Sequence, residues 1–362
     1  MLVTAVEAGP LRSLNDVRVE LGEGIVSLIG PNGAGKTNLL EALYFALTGR
    51  SFRTSDRREL IPFGAQLGRA EAVVRDDEGV EHVLLASVSR AEGRRHLLDG
   101  AAADTATLSR SRPPIAVFSP DRLSLVKGPP GERRSHLDAF VAARWPARAG
   151  LRQRYGQALA QRNALLARFV AGGREDLSVW NATLAEAAAP LVGAREEAVA
   201  ELAESFRAAA AQLGLEGEAT LEYAPRAEGS AEEIRAGLAE RQEADLRLGR
   251  TSWGPHLDEL KIGVSGRQLR RYGSQGQQRV ALLSLLFAER EALLRARRVT
   301  PLLLLDDVMS ELDPEHRERL AGLLEGGGQT LMTAAAEESV PSRAASHVIR
   351  APFAPAPRAA AA

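Results

Sequence analysis

Residues 30–37 read GPNGAGKT, a stretch whose glycines, lysine and threonine could together bind a triphosphate. It follows the apolar run IVSLI and opens the helical run TNLLEALYFALTG, which predicts a strand, a glycine-rich turn and a helix. Gly33 and Gly35 let backbone N–H groups approach phosphate closely, and the positive end of the following helix faces the same anion. Lys36 adds a point charge, and Thr37 presents a hydroxyl to the Mg²⁺ that bridges the outer phosphates. The pattern predicts a nucleoside triphosphate site.

Nine consecutive residues are expected to bind this nucleotide, namely Gly30, Pro31, Asn32, Gly33, Ala34, Gly35, Lys36, Thr37 and Asn38. Lys36 is also expected to act in catalysis, because its charge would face the outer phosphates. An ordinary glycine turn is the alternative, but it would not require a strand on one side and a helix on the other.

Two adjacent acids, Asp306 and Asp307, follow the apolar run LLLL. A carboxylate beside a buried strand is costly unless it is paired, and a bound divalent cation removes that cost. We therefore expect Asp306 to bind magnesium together with Thr37, and Asp307 to orient or deprotonate the attacking water. The alternative is a core strand that runs into a capped turn, because apolar runs that end in aspartate are common.

A second anion-binding pattern lies upstream of these acids, in the polar segment RRYGSQGQQR. An apolar helix is predicted from about Val280 onward. Ser274, the backbone of Gly276 and the amide of Gln277 would lie near the N-terminus of that helix, where they could bind phosphate oxygens. One chain cannot easily use two such loops on one triphosphate, so this second loop needs a separate explanation.

The segment GSQGQQ resembles the S-x-G-Q loop of ATP-binding-cassette ATPases, with Gln275 in place of a usual glycine. In that class the loop reaches across a dimer to the γ-phosphate that the partner holds, so the resemblance implies an ATP-dependent homodimer. The order of phosphate loop, long insertion, polar loop and acidic strand is similar to the SMC and double-strand-break-repair branch of the class.

Within this branch the chain resembles the RecF family of bacterial recombination mediator ATPases. The resemblance covers about residues 2–335 and rests on the segments GPNGAGKTNLLEALYF, FSPDRLSLVKGPPGERRSHLD, GPHLDEL, YGSQGQQR and LLLLDDVMSELD. Some positions depart from the family pattern. Arg12 is the residue left to contact the adenine side of the nucleotide. Thr333, the last residue of the strand QTLMT, is the one polar switch residue that remains, because alanines follow it. Ser119 and Pro120 occupy the region of the usual glutamine lever.

The predicted fold class is α/β, a P-loop ATPase head of the ABC/SMC type with an inserted, mainly α-helical arm domain. The stretches GRAEAVVRDDEG, EHVLLASVSR and RRHLLDG predict antiparallel strands, whereas apolar residues at helical spacing predict long helices broken near Gly172 and Gly173. We expect a split head at 1–130 and 250–350, the arm at 131–249, and a disordered, proline- and alanine-rich tail at 351–362. The aromatic residues of the helical stripes are expected in the core, and His256 and Asp258 either at a pocket rim or in a structural role.

Composition limits the remaining function classes. The 362 residues include no cysteine, which excludes disulfides and cysteine catalysis, and their apolar runs are too short to span a membrane. A cytoplasmic location without membrane partners is expected. The formal net charge of −1 requires any DNA contact to be local. Clusters of arginine begin at Arg50, Arg90, Arg133 and Arg144, and each is either a phosphate contact or a solvated face.

The resemblance implies an ATP-dependent DNA-binding recombination mediator. ATP and Mg²⁺ would close a homodimer on single-stranded, duplex or gapped DNA, and slow hydrolysis would release it. A weak, DNA-stimulated ATPase activity, partners of the RecO and RecR type, and roles in recombinase loading, replication restart, DNA repair and SOS induction are expected from the same resemblance. The alternative is an ATPase subunit that powers a separate partner enzyme or transporter.

Overall fold

The computed structural model describes residues 1–54, 56–91, 93–170, 177–325, 327–340 and 347–353. The strands are β1 (Leu2–Ala8), β2 (Val17–Glu20), β3 (Ile25–Ile29), β4 (Leu67–Arg75), β5 (Glu81–Ser89), β6 (Gly93–Leu98), β7 (Ala101–Ala102), β8 (Ile115–Phe118), β9 (Ala219–Ala224), β10 (Glu259–Val264), β11 (Arg267–Gln268), β12 (Leu302–Leu305), β13 (Thr330–Ala334) and β14 (His347–Arg350). The helices are α1 (Lys36–Thr48), α2 (Thr105–Arg110), α3 (Ser124–Lys127), α4 (Pro130–Arg144), α5 (Leu151–Val170), α6 (Ser178–Gln212), α7 (Ala231–Glu240), α8 (Gln242–Leu248), α9 (Leu269–Tyr272), α10 (Gln275–Arg297) and α11 (Pro314–Leu324).

The chain forms two compact units. The first comprises Met1–Arg122, Gln212–Gly214 and Leu293–Ala362, and the second comprises Leu123–Ala211 and Leu215–Ala292. The expected division into a head and an arm stays a prediction. The expected helix break near Gly172 and Gly173, and residues 354–362 of the expected disordered tail, lie outside the described residues.

A five-stranded parallel sheet of the first unit has the order β14-β3-β13-β12-β8. The sequences of β3, β12 and β13 are buried along their whole length, as expected for parallel strands covered on both faces. Because the strands are parallel, their carboxyl ends lie along one edge of the sheet. This edge therefore carries the residues that follow β3, β12, β13 and β8, including the predicted phosphate loop and the acidic pair.

An antiparallel sheet of six strands in the same unit has the order β2-β1-β4-β5-β6-β7. Strands β4, β5 and β6 correspond to the three stretches that alternate in polarity, and their predicted antiparallel pairing is confirmed. Helix α1 packs against β1, β4 and β5 of this sheet and against β13 of the parallel sheet. Its side chains Leu39, Leu40, Leu43 and Phe45 are buried in an apolar core that also contains residues of both sheets. This packing holds α1 against the two sheets.

The second unit combines α3–α9 and most of α10 with a small antiparallel sheet of order β11-β10-β9. Helix α6 has 35 residues, which corresponds to a length of about 52 Å. The fully buried guanidinium of Arg162 on α5 donates to Asn181 of α6 and to Asp245 of α8, at 2.8 and 2.7 Å. Aromatic Tyr155 is buried, as its helical spacing predicted. Polar bonds and apolar contacts together hold these helices.

The sequence of residues 231–248 predicts a single helix, whereas the structure has two. Helix α7 ends at Glu240 and α8 begins at Gln242, because Arg241 between them has ψ near 0° rather than a helical value. The Arg241 guanidinium donates to the carbonyl of Gly237 and lies 4.6 Å from the ring centre of Trp253, contacts that favour this bend. In the part of the chain that the structure describes, no helix is both long and apolar enough to cross a membrane.

Candidate nucleotide-binding site

The predicted phosphate loop occupies the turn between β3 and α1. Gly33 and Gly35 have φ values of +84° and +91°, which L side chains rarely adopt. Gly35 is also the residue that precedes α1, so no side chain caps the first turn of that helix. The unpaired N–H groups at such a helix start favour an anion. Asn32 is exposed at the tip of the loop, and Ala34 is half-buried, so the loop offers its backbone to a ligand.

Lys36, the first residue of α1, reaches back across the loop. Its Nζ atom donates to the carbonyl oxygens of Gly30 and Pro31 at 2.6 and 3.0 Å. The side chain is largely buried, which holds the ammonium group at the loop instead of in bulk water. Phosphate oxygens form stronger, charge-assisted bonds than carbonyl oxygens do. Lys36 is thus positioned where an outer phosphate could take over its hydrogen bonds.

A chain of hydrogen bonds joins the start of α1 to the acidic pair. Thr37 Oγ1 donates to Asp306 Oδ1 at 2.8 Å, although the two residues are 269 positions apart in the sequence. Thr333 lies near the end of β13, the strand between β3 and β12. Its Oγ1 donates to the same carboxylate oxygen at 2.9 Å and accepts the N–H of Asp307 at 2.8 Å. Three carboxyl-end segments of the parallel sheet therefore converge on the Asp306 carboxylate.

Burial is the main influence on the charge of this carboxylate. Asp306 is 6% exposed, and desolvation raises its pKa above the ordinary value. The hydrogen bonds from Thr37 and Thr333 oppose that rise, whereas the neighbouring Asp307 adds to it. The Asp306 carboxylate is thus buried with two neutral hydroxyl donors, which offset the cost of burying its charge only in part. A divalent cation beside Thr37 and Asp306 would provide the missing positive charge.

Asp307 has an unusual backbone conformation for an aspartate. Its φ is +50°, in the left-handed region, which costs free energy for a residue with a side chain. The bond from its N–H to Thr333 and a bond from Ser310 Oγ to its carbonyl oxygen, at 2.9 Å, hold this conformation. The turn directs the chain away from the sheet immediately after Asp306, and Asp307 remains half-buried at the same edge.

Arg12 takes part in a network that the sequence did not predict. Its guanidinium donates two bonds, at 2.9 and 3.0 Å, to the fully buried carboxylate of Glu41 in α1. Ser51 Oγ donates to the same carboxylate at 2.5 Å, and Arg53 Nη1 donates both to it and to Asn38 Oδ1, at 3.3 and 3.1 Å. Arg12 is therefore fixed against α1. The signal for this network was a single acid within the apolar run NLLEALYF.

Ser119 follows β8 at the same edge of the parallel sheet. The N–H of Asp306 donates to the carbonyl oxygen of Phe118 at 2.9 Å, so Ser119 is the neighbour of Asp306 on the adjacent strand. The Ser119 hydroxyl is buried and has no hydrogen-bond partner among the residues that the structure describes. Such a group needs water or a ligand as its partner. A small hydroxyl thus occupies the region in which the family resemblance leads one to expect a glutamine.

The second predicted anion-binding loop lies in the second compact unit, at the start of α10. This helix begins at Gln275, so the expectation of a helix from about Val280 was wrong, and Gly276 and Gln277 belong to its first turn. Ser274 Oγ accepts the N–H of Gln277 at 3.2 Å, and the Gln277 side chain accepts the N–H of Ser274 at 2.9 Å. This reciprocal cap explains the early start, because it stabilises a polar first turn.

The magnesium prediction rests on a small set of side chains. Thr37 and Asp306 are adjacent and supply a hydroxyl and a carboxylate, oxygen donors that suit Mg²⁺. Within the described ranges no group of three or more His, Asp or Glu residues could hold a metal on its own. This is the composition expected where nucleotide phosphates supply most of the other ligands. The residues fit a nucleotide-bound magnesium ion.

His256 and Asp258 belong to a buried structural network of the second unit. Arg195 donates to Asp258 Oδ2 at 2.8 Å, and the hydroxyl of Tyr223 donates to the same oxygen. Tyr155 OH and His256 Nδ1 form a further bond of 2.7 Å. Desolvation raises the pKa of Asp258 and lowers that of His256. These partners favour a structural role for His256 and Asp258 over a position at a pocket rim.

Comparisons with known proteins agree with this arrangement. The family described as RecF/RecN/SMC N terminal domain matches residues 2–351. The chain is 38% identical over 367 residues to the DNA replication and repair protein RecF of Streptomyces avermitilis, which covers 94% of this chain and 95% of that protein. It is 42% identical over 340 residues to the RecF protein of Anaeromyxobacter sp. (strain K), which covers 90% of this chain and 89% of that protein.

Solved structures confirm the predicted fold class. The structure of the recombination mediator protein RecF-ATP in the RecFOR pathway has a TM-score of 0.85 and 28% identity, and covers 94% of this chain and 93% of that chain. An Smc head bound to the C-winged helix domain of ScpA has a TM-score of 0.59 at 17% identity, covers 97% of this chain and 94% of that chain, and shows the fold alone. The suspected relationship is confirmed, and the chain belongs to the RecF family of SMC-like ATPases.

Proposed function

We propose that the protein is an ATP-dependent DNA-binding recombination mediator, whose ATP-driven dimerisation forms a clamp at gapped or single-strand/duplex DNA. The observation that carries this proposal is the 2.8 Å hydrogen bond between Thr37 and Asp306. It joins the phosphate loop to the acidic strand in the arrangement that P-loop ATPases use for a nucleotide and its metal ion. The named relatives, which are DNA replication and repair proteins, supply the connection to DNA.

Four residues would divide the work at the nucleotide. The backbone of the phosphate loop and Lys36 would bind and orient the phosphates, while Thr37 and Asp306 would hold Mg²⁺. When bound, this ion supplies positive charge to the oxygens between the outer phosphates. Asp307, next to Asp306 at the sheet edge, would orient or deprotonate the attacking water. In this proposal Asp307 alone activates the water, without further acidic partners, so we expect hydrolysis to be slow. Slow hydrolysis suits a step that releases the dimer better than it suits a motor.

The second loop supports dimerisation. Ser274 and Gln277 present a capped helix start with Gly276 in the first turn, which leaves the backbone accessible at that position. One phosphate loop already provides an anion site in the same chain. We therefore assign Ser274, Gly276 and Gln277 to the nucleotide of a second copy. ATP would be held between two chains, so that its hydrolysis releases the dimer.

The biological setting follows from the relatives. The solved RecF-ATP structure is described as part of the RecFOR pathway, and we propose mediators of the RecO and RecR type as partners of this chain. Recombinase loading, DNA repair, replication restart and SOS induction would be the processes served, in the cytoplasm where chromosomal DNA is found. Any ATPase activity is expected to be weak and stimulated by DNA.

The test is the solution mass of the chain without nucleotide, with ADP, and with ATP and Mg²⁺. We expect dimers with ATP alone, and a persistent dimer for Asp307→Asn, since only water activation is lost. Ser274→Arg should bind ATP and stay monomeric, whereas Gln268→Arg adds the same charge at an exposed position just upstream and should dimerise normally. Monomeric Asp307→Asn with ATP bound would reject the two-chain site and favour an ATPase that depends on another protein.

A further inference from the structure

Two arginine clusters that are distant in the sequence line one groove of the first unit. The 3₁₀ turn Arg57–Leu60 packs against β5, and β5 leads into the hairpin turn before β6. Arg57 and Arg58 of that turn line the groove together with Arg90 and Arg94. These four residues define what we term the arginine groove, which has a volume of about 500 Å³.

The positive charges of the arginine groove are only partly neutralised by the protein. None of its four arginines forms an ion pair with a carboxylate in the described part of the chain. Asp56 also lines the groove, and its carboxylate, which accepts the backbone N–H of Arg58, offsets part of the positive charge of the four arginines. Burial lowers the pKa of Arg94, and the nearby charges of Arg57 and Arg50 lower it further. Four like charges in one concavity are unfavourable unless an anion binds there.

Several clustered arginines outside the groove are instead paired with carboxylates. Arg53 pairs with Glu41, Arg144 pairs with Glu201, and Arg148 pairs with Glu197. Arg144 and Arg148 also lie against the ring of Trp145, at 4.9 and 4.7 Å from its centre. These three arginines are therefore already compensated by carboxylates of their own protein.

The lining of the groove indicates which anion it suits. Its volume and its four arginines exceed what a single phosphate ion needs. Of the described residues that line it, none is aromatic, and only Val88 and Ala91 are apolar. Protein partners usually meet aromatic or apolar side chains, and single strands stack their bases on aromatic rings. A duplex backbone requires neither, because it presents regularly spaced phosphates.

We propose that the arginine groove binds the phosphate backbone of duplex DNA. This inference rests on the proposed function, since it assigns one contact surface of the DNA clamp. Phosphate contacts position a protein without reading sequence, so binding at the groove should be independent of base sequence. The guanidinium forks of the four arginines would engage phosphates through paired N–H···O bonds.

The experiment measures duplex binding by fluorescence anisotropy across a series of salt concentrations, with ATP and Mg²⁺ present. The test variants are Arg57→Gln with Arg58→Gln, and Arg90→Gln with Arg94→Gln. The matched control is Arg18→Gln with Arg75→Gln, two arginines of the same antiparallel sheet that are paired with carboxylates. ATP affinity and thermal unfolding of each variant report whether it is folded.

Each test variant should bind duplex about 60-fold more weakly at 0.1 M salt, with the salt slope reduced by about 2, because each lost phosphate contact removes roughly 0.9 from that slope. The control should keep the affinity and slope of the unmodified chain. Lysine at positions 90 and 94 should restore most of the slope, and this variant tests the proposal if the glutamine variant fails to fold.

Two outcomes would contradict the inference and are distinguishable. If the unmodified chain binds duplex and folded test variants keep its affinity and slope, the groove does not contact DNA and an acidic protein partner becomes its best occupant. If the unmodified chain does not bind duplex at any salt concentration, the proposed DNA function itself fails, and the groove proposal fails with it.

Discussion

Thr333 offers a sharp test of how the acidic edge is built. Its hydroxyl donates to Asp306 at 2.9 Å and accepts the N–H of Asp307 at 2.8 Å, and the residue is 1% exposed. Thr333→Val keeps the shape of the side chain but removes both bonds. The same strand provides a matched control, because Thr330 is also buried, and its hydroxyl has no hydrogen-bond partner within the described segments.

The two variants should change the free energy of unfolding in opposite directions. Thr333→Val loses a bond to a charged carboxylate, worth about 1.5–3 kcal/mol, and leaves the N–H of Asp307 unpaired, so the free energy of unfolding should fall by about 2–4 kcal/mol. Thr330→Val removes a buried hydroxyl that pairs with none of the described residues, so the free energy of unfolding should rise by about 1 kcal/mol. Each change replaces a threonine hydroxyl by a methyl group on β13. The difference between the two free energies of unfolding therefore isolates the effect of the Thr333 hydrogen bonds.

The cost of Thr333→Val should also depend on pH. Burial raises the folded pKa of Asp306 above its unfolded value, so the charged carboxylate reduces stability above that pKa, and this penalty disappears as the pH falls through it. The Thr333 bond lowers the pKa of Asp306, so its loss enlarges the penalty. The deficit should therefore be larger at neutral pH than in acid. Urea unfolding of both variants at several pH values measures it, and equal free energies of unfolding for the two variants would refute the reasoning.

Two further predictions concern the first unit. Glu41→Gln should lower the free energy of unfolding by about 2–4 kcal/mol, because Arg12 and Arg53 lose a fully buried carboxylate. Urea unfolding measures this change, and the control is Glu81→Gln, which removes one partner of an exposed ion pair. The control should have a free energy of unfolding within about 0.5 kcal/mol of that of the unmodified chain. The hydrogen bond to Asp99 and its charge raise the pKa of His82, so the stability that His82 contributes is fully present below its unfolded pKa and is lost as the pH rises through its folded pKa. His82→Gln should abolish that part of the pH dependence, and an unchanged profile would exclude His82 as its source.

The elements around the nucleotide site were predictable because each has a strong local signature. The run LLLL before the acidic pair is β12, and the helical run after the phosphate loop is α1, as the sequence predicted. The start of α10 was not, since a first turn of Gln275, Gly276 and Gln277 has little apolar periodicity. Its stability comes from the reciprocal cap with Ser274, which depends on geometry rather than on hydrophobic pattern.

The sequence also predicted which residues form the site, but not the hydrogen bonds between them. The motifs placed Thr37 and Asp306 in one pocket, but they did not show that Thr333 would hold both acids, because that depends on β13 lying between β3 and β12. Arg12 was expected at the adenine side, and the structure shows its guanidinium bound to Glu41. A contact with the base through the Arg12 side chain would therefore have to compete with a bidentate, buried ion pair.

Arginine clusters show most clearly why position in the sequence is insufficient. Arg133 belongs to a cluster that resembled a phosphate-binding run, yet it is 2% exposed and its partner, Glu259, lies 126 residues away. Arg57 and Arg90 looked no different in the sequence, but they line one groove and form no ion pair with any residue that the structure describes. A charge contributes to binding only if its own protein has not already compensated it, and that compensation is set by long-range packing. Local sequence reports the charge, whereas the fold decides whether the charge is free to bind a phosphate.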